Sequence, residues 1–218
     1  MSTEFAIADV SPGKLNALVK NLMRQTGESD PNEAVRLLNS GEWVVSKPTH
    51  SWHEKDGVIY FNVTSDGTTG EDWITRLESK GFSVDSCAKQ VLRSADFKPT
   101  NGVTTEVAVL KGCLFEERGR TTSVIRAEAD KRKLSKPNTE ITCLIREKFT
   151  DKKIEAMGLW YIVAMHEPIN DSGGDPFLLI ADRGFGGRWL SACGGRPGDR
   201  WGRVSGFAFA VSQVSSQS

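Results

Sequence analysis

Residues 159–165 read LWYIVAM, an unbroken apolar run closed by Gly158 before it and by His166-Glu167-Pro168 after it. The run is too short for the ~20 residues that cross a bilayer. Its length and its punctuation predict a central strand covered on both faces. Such a strand needs partners on either side of it and layers above and below. Those partners limit what the rest of the chain can be.

The strand partners are legible in several places. Residues 42–46 (EWVVS), 57–63 (GVIYFNV) and 103–115 have the β-branched and aromatic content of strands. In 206–211 (GFAFAV) the large apolar residues fall at every second position, the period of a half-buried strand. Helices alternate with these. Residues 71–80 place Trp73, Ile74 and Leu77 on one face, with Thr69 as cap and Gly81 as stop. Asp85 or Ser86 caps a helix with Cys87, Ala88, Val91, Leu92 and Ala95 inward. Residues 121–134 and 138–149 are predicted helical, the second from the stripe Ile141, Leu144, Ile145 and Phe149, and Thr150 caps a short helix ending at Gly158. The fold class is therefore α+β, a mixed sheet with inserted helices over residues 42–218.

Ahead of this domain, Ser11-Pro12 opens a helix with the stripe Leu15, Leu18, Val19 and Leu22, stopped at Gly27. Ser29-Asp30-Pro31 opens another over 32–39, with Val35, Leu37 and Leu38 apolar. Residues 1–41 thus read as a helical hairpin, either packed on the domain behind it or serving as a docking or oligomerising arm.

Several function classes find little support. The 218 residues carry no net charge, so no global field draws the chain to nucleic acid or acidic lipid. No run is long enough to span a membrane, and the N-terminus lacks the pattern of a secretory signal, so the default compartment is cytoplasmic. Cys87, Cys113, Cys143 and Cys193 lack metal or disulfide spacing and read as free thiols. His50, His53 and Glu54 fall in a Pro-containing turn with no further ligand clustered beside them, so no metal is assigned. The turn 65–70 precedes a helix but lacks a phosphate-loop pattern. His166 and Glu167 have no adjacent nucleophile and read as structural hydrogen-bonding groups. No catalytic motif occurs, and the chain is read as a non-enzyme without a cofactor. Residues 131–136 (KRKLSK) form the one basic cluster. With the C-terminal arginines, this basic helix supports an alternative reading as a nucleic-acid-associated regulatory module, though acidic residues alternate with it.

The C-terminal third differs from the rest. No lysine follows Lys153, whereas Arg183, Arg188, Arg196, Arg200 and Arg203 crowd together, and ten of the 21 glycines lie between 173 and 206. Arginine suits recognition surfaces. Apolar framework residues (Leu178, Leu179, Trp189, Leu190, Trp201, Phe207, Phe209) are interleaved with Gly- and Arg-rich runs that have no period. The block Met165-His166-Glu167-Pro168-Ile169, Leu178-Leu179, Ala181, Arg183, Gly187-Arg188-Trp189-Leu190, Ala192, Pro197, Trp201 and Gly206-Phe207-Ala208-Phe209 resembles the C-terminus of variable proteins of diversity-generating retroelements. The whole chain is similar to the type found in candidate-phylum bacteria. Its close also resembles formylglycine-generating-enzyme-like C-type lectin folds.

The resemblance implies a C-type lectin-like scaffold whose last strands and loops display hypervariable residues. A reverse transcriptase copies a template with errors at adenines, and the copy replaces the coding segment. The positions implied to bind ligand are Asp175, Phe177, Ile180, Asp182, Gly184, Phe185, Ser191, Cys193, Gly194, Gly195, Arg196, Gly198, Asp199, Arg200, Gly202, Arg203, Val204 and Ser205. Each is reachable from an Asn codon changed at its first two bases, and no Lys or Asn follows Asn170. Trp189, Trp201, Phe207 and Phe209 are the implied scaffold, with codons poor in adenine. The implied partner is a protein or surface ligand, bound without a lectin-type calcium ion. Only Phe177 and Phe185 supply aromatic groups at display positions, which implies either weak binding by this variant or no cognate ligand. An enzymatic descendant of the sulfatase-activating scaffold would need a working cysteine, yet Cys193 falls at a variable position.

Overall fold

The computed structural model describes residues 11–13, 16, 17, 19, 20, 23, 29–42, 51–184 and 187–211. The chain divides into two compact units, 1–49 and 50–218. In the first, α1 (Pro31–Asn39) begins as its sequence predicts: the Asp30 carboxylate accepts the Asn32 N–H at 2.9 Å and Pro31 fills the first turn. Pro12, Gly13, Asn16, Ala17, Val19, Lys20 and Met23 are helical as well. Leu15, Leu18, Leu22, Gly27 and, apart from Glu42, the strand read at 42–46 lie outside the described residues.

The second unit runs β1 (His53–Lys55), β2 (Val58–Asp66), α2 (Gly70–Ser79), β3 (Ser83–Val84), α3 (Ser86–Arg93), β4 (Asn101–Lys111), α4 (Thr122–Lys131), β5 (Leu134–Ser135), α5 (Ile141–Lys148), α6 (Asp151–Ala156), β6 (Tyr161–Ala164), β7 (Ile169–Asn170), β8 (Pro176–Asp182), β9 (Trp189–Gly194) and β10 (Ser205–Val211). One mixed sheet takes the order β1-β2-β4-β10-β6-β8-β9-β3, with β5 beside β10 and β7 beside β8. The fold is α+β, and the strand read at 159–165 sits centrally as β6, parallel to β10 and antiparallel to β8. No helix among the described residues is long and apolar enough to cross a membrane.

Two apolar layers cover the sheet. Trp73 and Leu77 of α2, Val91 of α3, Ile145 of α5 and Ile154 of α6 pack on one face against Ile59, Phe61, Ile162, Leu179 and Ala208. The other face, smaller, joins Ile125 and Ala129 of α4 to Leu110, Val163, Leu178, Phe207, Phe209 and Trp201. The alternation in β10 therefore means something other than half-burial. Phe207 and Phe209 point one way and Ala208 the other, and all three are buried. Small residues stand where the first layer presses closest: a Cβ on Gly206 would lie 2.7 Å from Leu159 Cδ1 and from Val109 Cγ1.

The local start signals hold. Thr69, Asp85, Thr121 and Thr150 each accept a backbone N–H of the turn they cap. Several predicted elements are shorter than read, among them the strand over 159–165, of which Tyr161–Ala164 is strand, and the helix over 138–149, of which Ile141–Lys148 is helix. The helix over 121–134 ends at Lys131 because Lys133 takes φ 58°, the left-handed region, and the chain turns into β5. The strand over 103–115 ends at Lys111, where Gly112 starts a tight turn.

Candidate ligand-binding surface

The register of β8 on β9 decides which candidate residues share a face. Leu178 pairs with Cys193, Ile180 with Ser191 and Asp182 with Trp189; the intervening pairs are Phe177–Gly194, Leu179–Ala192 and Ala181–Leu190. Side chains alternate along a strand and face their cross-strand partners. Ile180, Asp182, Ser191 and Cys193 therefore lie together on the Trp201 side of the sheet. Phe177 packs against the opposite, helical layer. A strand period of two cannot put residues 177 and 180 on one surface, so Phe177 and Gly194 leave the group.

From β9 the chain crosses β8 and β6 to reach β10, which runs in the same direction as β9. This crossover, residues 195–204, carries most of the remaining candidates. Its peptide groups hold it. Thr122 N–H donates to Asp199 O at 3.0 Å and Ser123 N–H to Pro197 O at 2.9 Å. These donors belong to the first turn of α4 and have no partner within their own helix. Trp201 N–H donates to Arg120 O at 2.9 Å, Trp160 N–H to Val204 O at 2.7 Å, and Gly195 N–H to Pro176 O at 2.8 Å. At Gly112 a Cβ would meet Gly202 O at 2.5 Å and Arg203 O at 2.8 Å, so backbone lies directly on backbone there.

One crossover side chain is a deep anchor. The Trp201 ring packs edge-on to Phe207 at 5.8 Å between centroids, and its Nε1–H donates to Thr122 Oγ1 at 2.9 Å. Asp199 also works internally, its carboxylate accepting Arg196 N–H at 2.8 Å. Arg196 reaches the Asp175 carboxylate across the mouth of β8. Arg200, Gly202, Arg203 and Val204 are exposed, as is Gly198, whose Cβ direction is open.

Other candidates are enclosed. Ile180 and Ser205 are buried, and Ser205 Oγ has no hydrogen-bond partner. Gly195 is buried with room for little more than hydrogen: a Cβ would stand 3.0 Å from Leu178 Cγ and 3.3 Å from Pro168. Gly184 takes φ 37°, and its Cβ would fall 2.3 Å from Trp189 Cδ1. Ile180, Gly195 and Ser205 are corrected from displayed to enclosed, and half-buried Gly184 to a position with no room for a side chain beside Trp189, because tight packing accounts for their small or apolar residues. Phe185 lies outside the described residues. Of the scaffold residues, Trp201, Phe207 and Phe209 are buried, whereas Trp189 is half exposed on the same face as Asp182 and Ser191. Burial pushes the Cys193 thiol up to about 12, helped by Asp199 and Asp85, so the group stays protonated at neutral pH.

His166 is buried and fully engaged. Leu179 N–H of β8 donates to Nε2 at 3.0 Å, which makes Nδ1 the protonated nitrogen, 2.6 Å from Glu167 O. Desolvation pulls its pKa from 6.5 down to about 4, so it is neutral near pH 7. Arg146, fully buried in α5, is a structural residue that its sequence context did not signal. It donates to Asp182 O at 2.8 Å and Phe149 O at 2.7 Å and pairs with Asp151.

The basic run 131–136 is not a helix. Only Lys131 is helical, and residues 134 and 135 are strand. Lys131 and Arg132 pair with Glu128, and Lys136 pairs with Glu167. The C-terminal arginines are partly committed too: Arg183 pairs with Glu155 and lies over Trp160, and Arg188 lies over Phe82. His53 stacks on Tyr60 while Glu54 pairs with Lys111. No group of three or more His, Cys, Asp or Glu among the described residues is placed to hold a metal. The four cysteines are free.

The residues that sequence reasoning missed are Arg120, Thr122 and Ser123, which bolt the crossover down. Thr121 was legible as part of a helix start, but nothing local tied that start to residues 197–201. No protein-family model, curated protein or solved structure matches this chain.

Proposed function

We propose that this chain is a ligand-binding protein of the C-type lectin-like kind, a variable protein of a diversity-generating retroelement, and that its crossover is the diversified surface. The observation that carries the reading is how the crossover is held. Carbonyls of Pro197 and Asp199 take the free N–H donors of α4, and the neighbouring turns dock through Arg120 O, Trp160 N–H and Gly112. Peptide groups are the same whatever the side chain. A loop fastened this way keeps its course while Gly198, Arg200, Gly202, Arg203 and Val204 change. The exposed arginines are suited to contact with a protein partner, since Arg presents a planar set of donors and is enriched among residues that dominate interfaces. The half-exposed Trp189 adds a fixed aromatic group beside them.

Two experiments test this. The gene segment for residues 175–211 should have a near-copy beside a reverse-transcriptase gene, differing from it at adenines; a complete source genome without such a copy overturns the retroelement reading. Simultaneous replacement of Arg200, Gly202, Arg203 and Val204 by Ser, Asn, Asp and Thr should leave Tm within about 8 °C of the parent, because exposed substitutions rarely cost more than ~0.5 kcal/mol each. A cooperative loss of fold would show that these side chains hold the structure.

A further inference from the structure

A cleft of about 360 Å³ opens where the first turn of α4 meets the start of the crossover. Pro168, Pro176 and Pro197 line it, with Gly195 also in its wall. Proline rings move little, so these walls are formed before any ligand arrives. The volume falls within the range of sites that enclose a small group.

One charged residue in this wall is not neutralised. Arg126 is half-buried; its Nη2 donates to His166 O at 2.8 Å, and it forms no ion pair among the described residues. Its neighbours are differently placed. Arg196 is engaged by Asp175, and Glu167 at the rim is engaged by Lys136. Desolvation pulls the Arg126 pKa below its usual value, with the charges of Glu167 and Asp130 offsetting only part of it. A guanidinium has five N–H donors in a planar fork that matches a carboxylate. Most of these are unspent here.

We propose that this cleft takes an acidic side chain of a protein ligand, with its carboxylate on Arg126 and an adjacent apolar residue against the three prolines. The proposal deepens the binding reading. It adds to the changeable crossover a fixed point of attachment in residues outside the candidate diversified set, with only Gly195 and Arg196 shared.

The test uses the full chain labelled with ¹⁵N and two short peptides, acetyl-Leu-Glu-Leu-amide and its Gln counterpart. The Glu peptide should shift the amides of Ser123, Arg126 and Gly195 and bind about tenfold tighter or better than the Gln peptide, as expected when a charge-assisted contact is lost. Arg126→Gln should bind both peptides alike. If that variant fails to fold, Arg126→Lys decides: it should bind the Glu peptide more weakly than the parent because the fork is gone. Equal affinity of the parent for both peptides, binding by neither, or an unchanged affinity in Arg126→Lys would overturn the proposal. None of these outcomes bears on the genomic test or on the tolerance of residues 200–204, so this inference can fail while the broader reading stands.

Discussion

On the β8–β9 hairpin, side chains hold the candidate surface: Ile180 is sunk among Leu178, Trp201 and Phe207, and Cys193 packs at the edge of the same layer. Along the crossover, peptide groups do most of the holding, and the side chains of Arg200, Arg203 and Val204 stand outside it, while Trp201 anchors it and the half-buried Asp199 carboxylate braces the turn at Arg196. The two stretches look alike in sequence, both being rich in small and polar residues. What separates them is which atoms bear the structure. A position held by its backbone can accept many residues, whereas a position held by its side chain accepts few.

Three perturbations sharpen or break that contrast. Ile180→Ala should cost about 2–5 kcal/mol, the usual loss for a buried aliphatic residue, measured by denaturant unfolding. A cost under ~0.5 kcal/mol would mean that the hairpin face is as tolerant as the crossover. The next effect is acid. His166 joins β8 to the Pro168 turn, and its pKa is about 4 when folded and 6.5 otherwise. Below pH 6.5 the unfolded chain takes the proton and the folded chain does not, so stability is full above 6.5 and falls as the pH drops toward 4. The total loss should be about 3 kcal/mol, and His166→Gln should flatten that slope. If the contrast is right, the hydrogen-exchange protection factor at Leu179, corrected for the intrinsic pH dependence of exchange, falls with acid before those at Thr122 and Ser123 do. The smallest effect compares two glycines. Gly195→Val should cost about 1–3 kcal/mol by overpacking against Leu178 and Pro168, while Gly198→Val should stay within ~0.5 kcal/mol. Equal costs would erase the distinction.

Much of this was legible beforehand. The run 159–165 marked the central strand, Tyr161–Ala164, because so short an apolar segment between Gly158 and Pro168 suits a strand covered on both faces better than a helix. Thr69, Asp85, Thr121 and Thr150 marked helix starts because the bond a cap makes spans two or three residues. The candidate surface was legible as a region and not as a set of positions. Codon reach and interleaving picked out Ile180, Gly195 and Ser205 as readily as Arg200 and Val204. Only the packing separates them. Likewise the basic run 131–136 looked continuous on paper, but a left-handed Lys133 breaks it and carboxylates from Glu128 and Glu167 occupy three of its charges.

By itself, the sequence determined the α+β alternation, the helix caps, the central strand and the concentration of arginine and glycine near the carboxyl end. Each of these depends on side-chain period or on contacts a few residues apart. Tertiary structure alone decided that the carbonyls of residues 197 and 199 sit on the first turn of a helix nearly eighty positions earlier (the Ser123 N–H to Pro197 O and Thr122 N–H to Asp199 O bonds), and that Arg126, with no ion pair among the described residues, stands beside three prolines. Those facts rest on distances between remote parts of the chain, and no local pattern of residues encodes a distance of that kind.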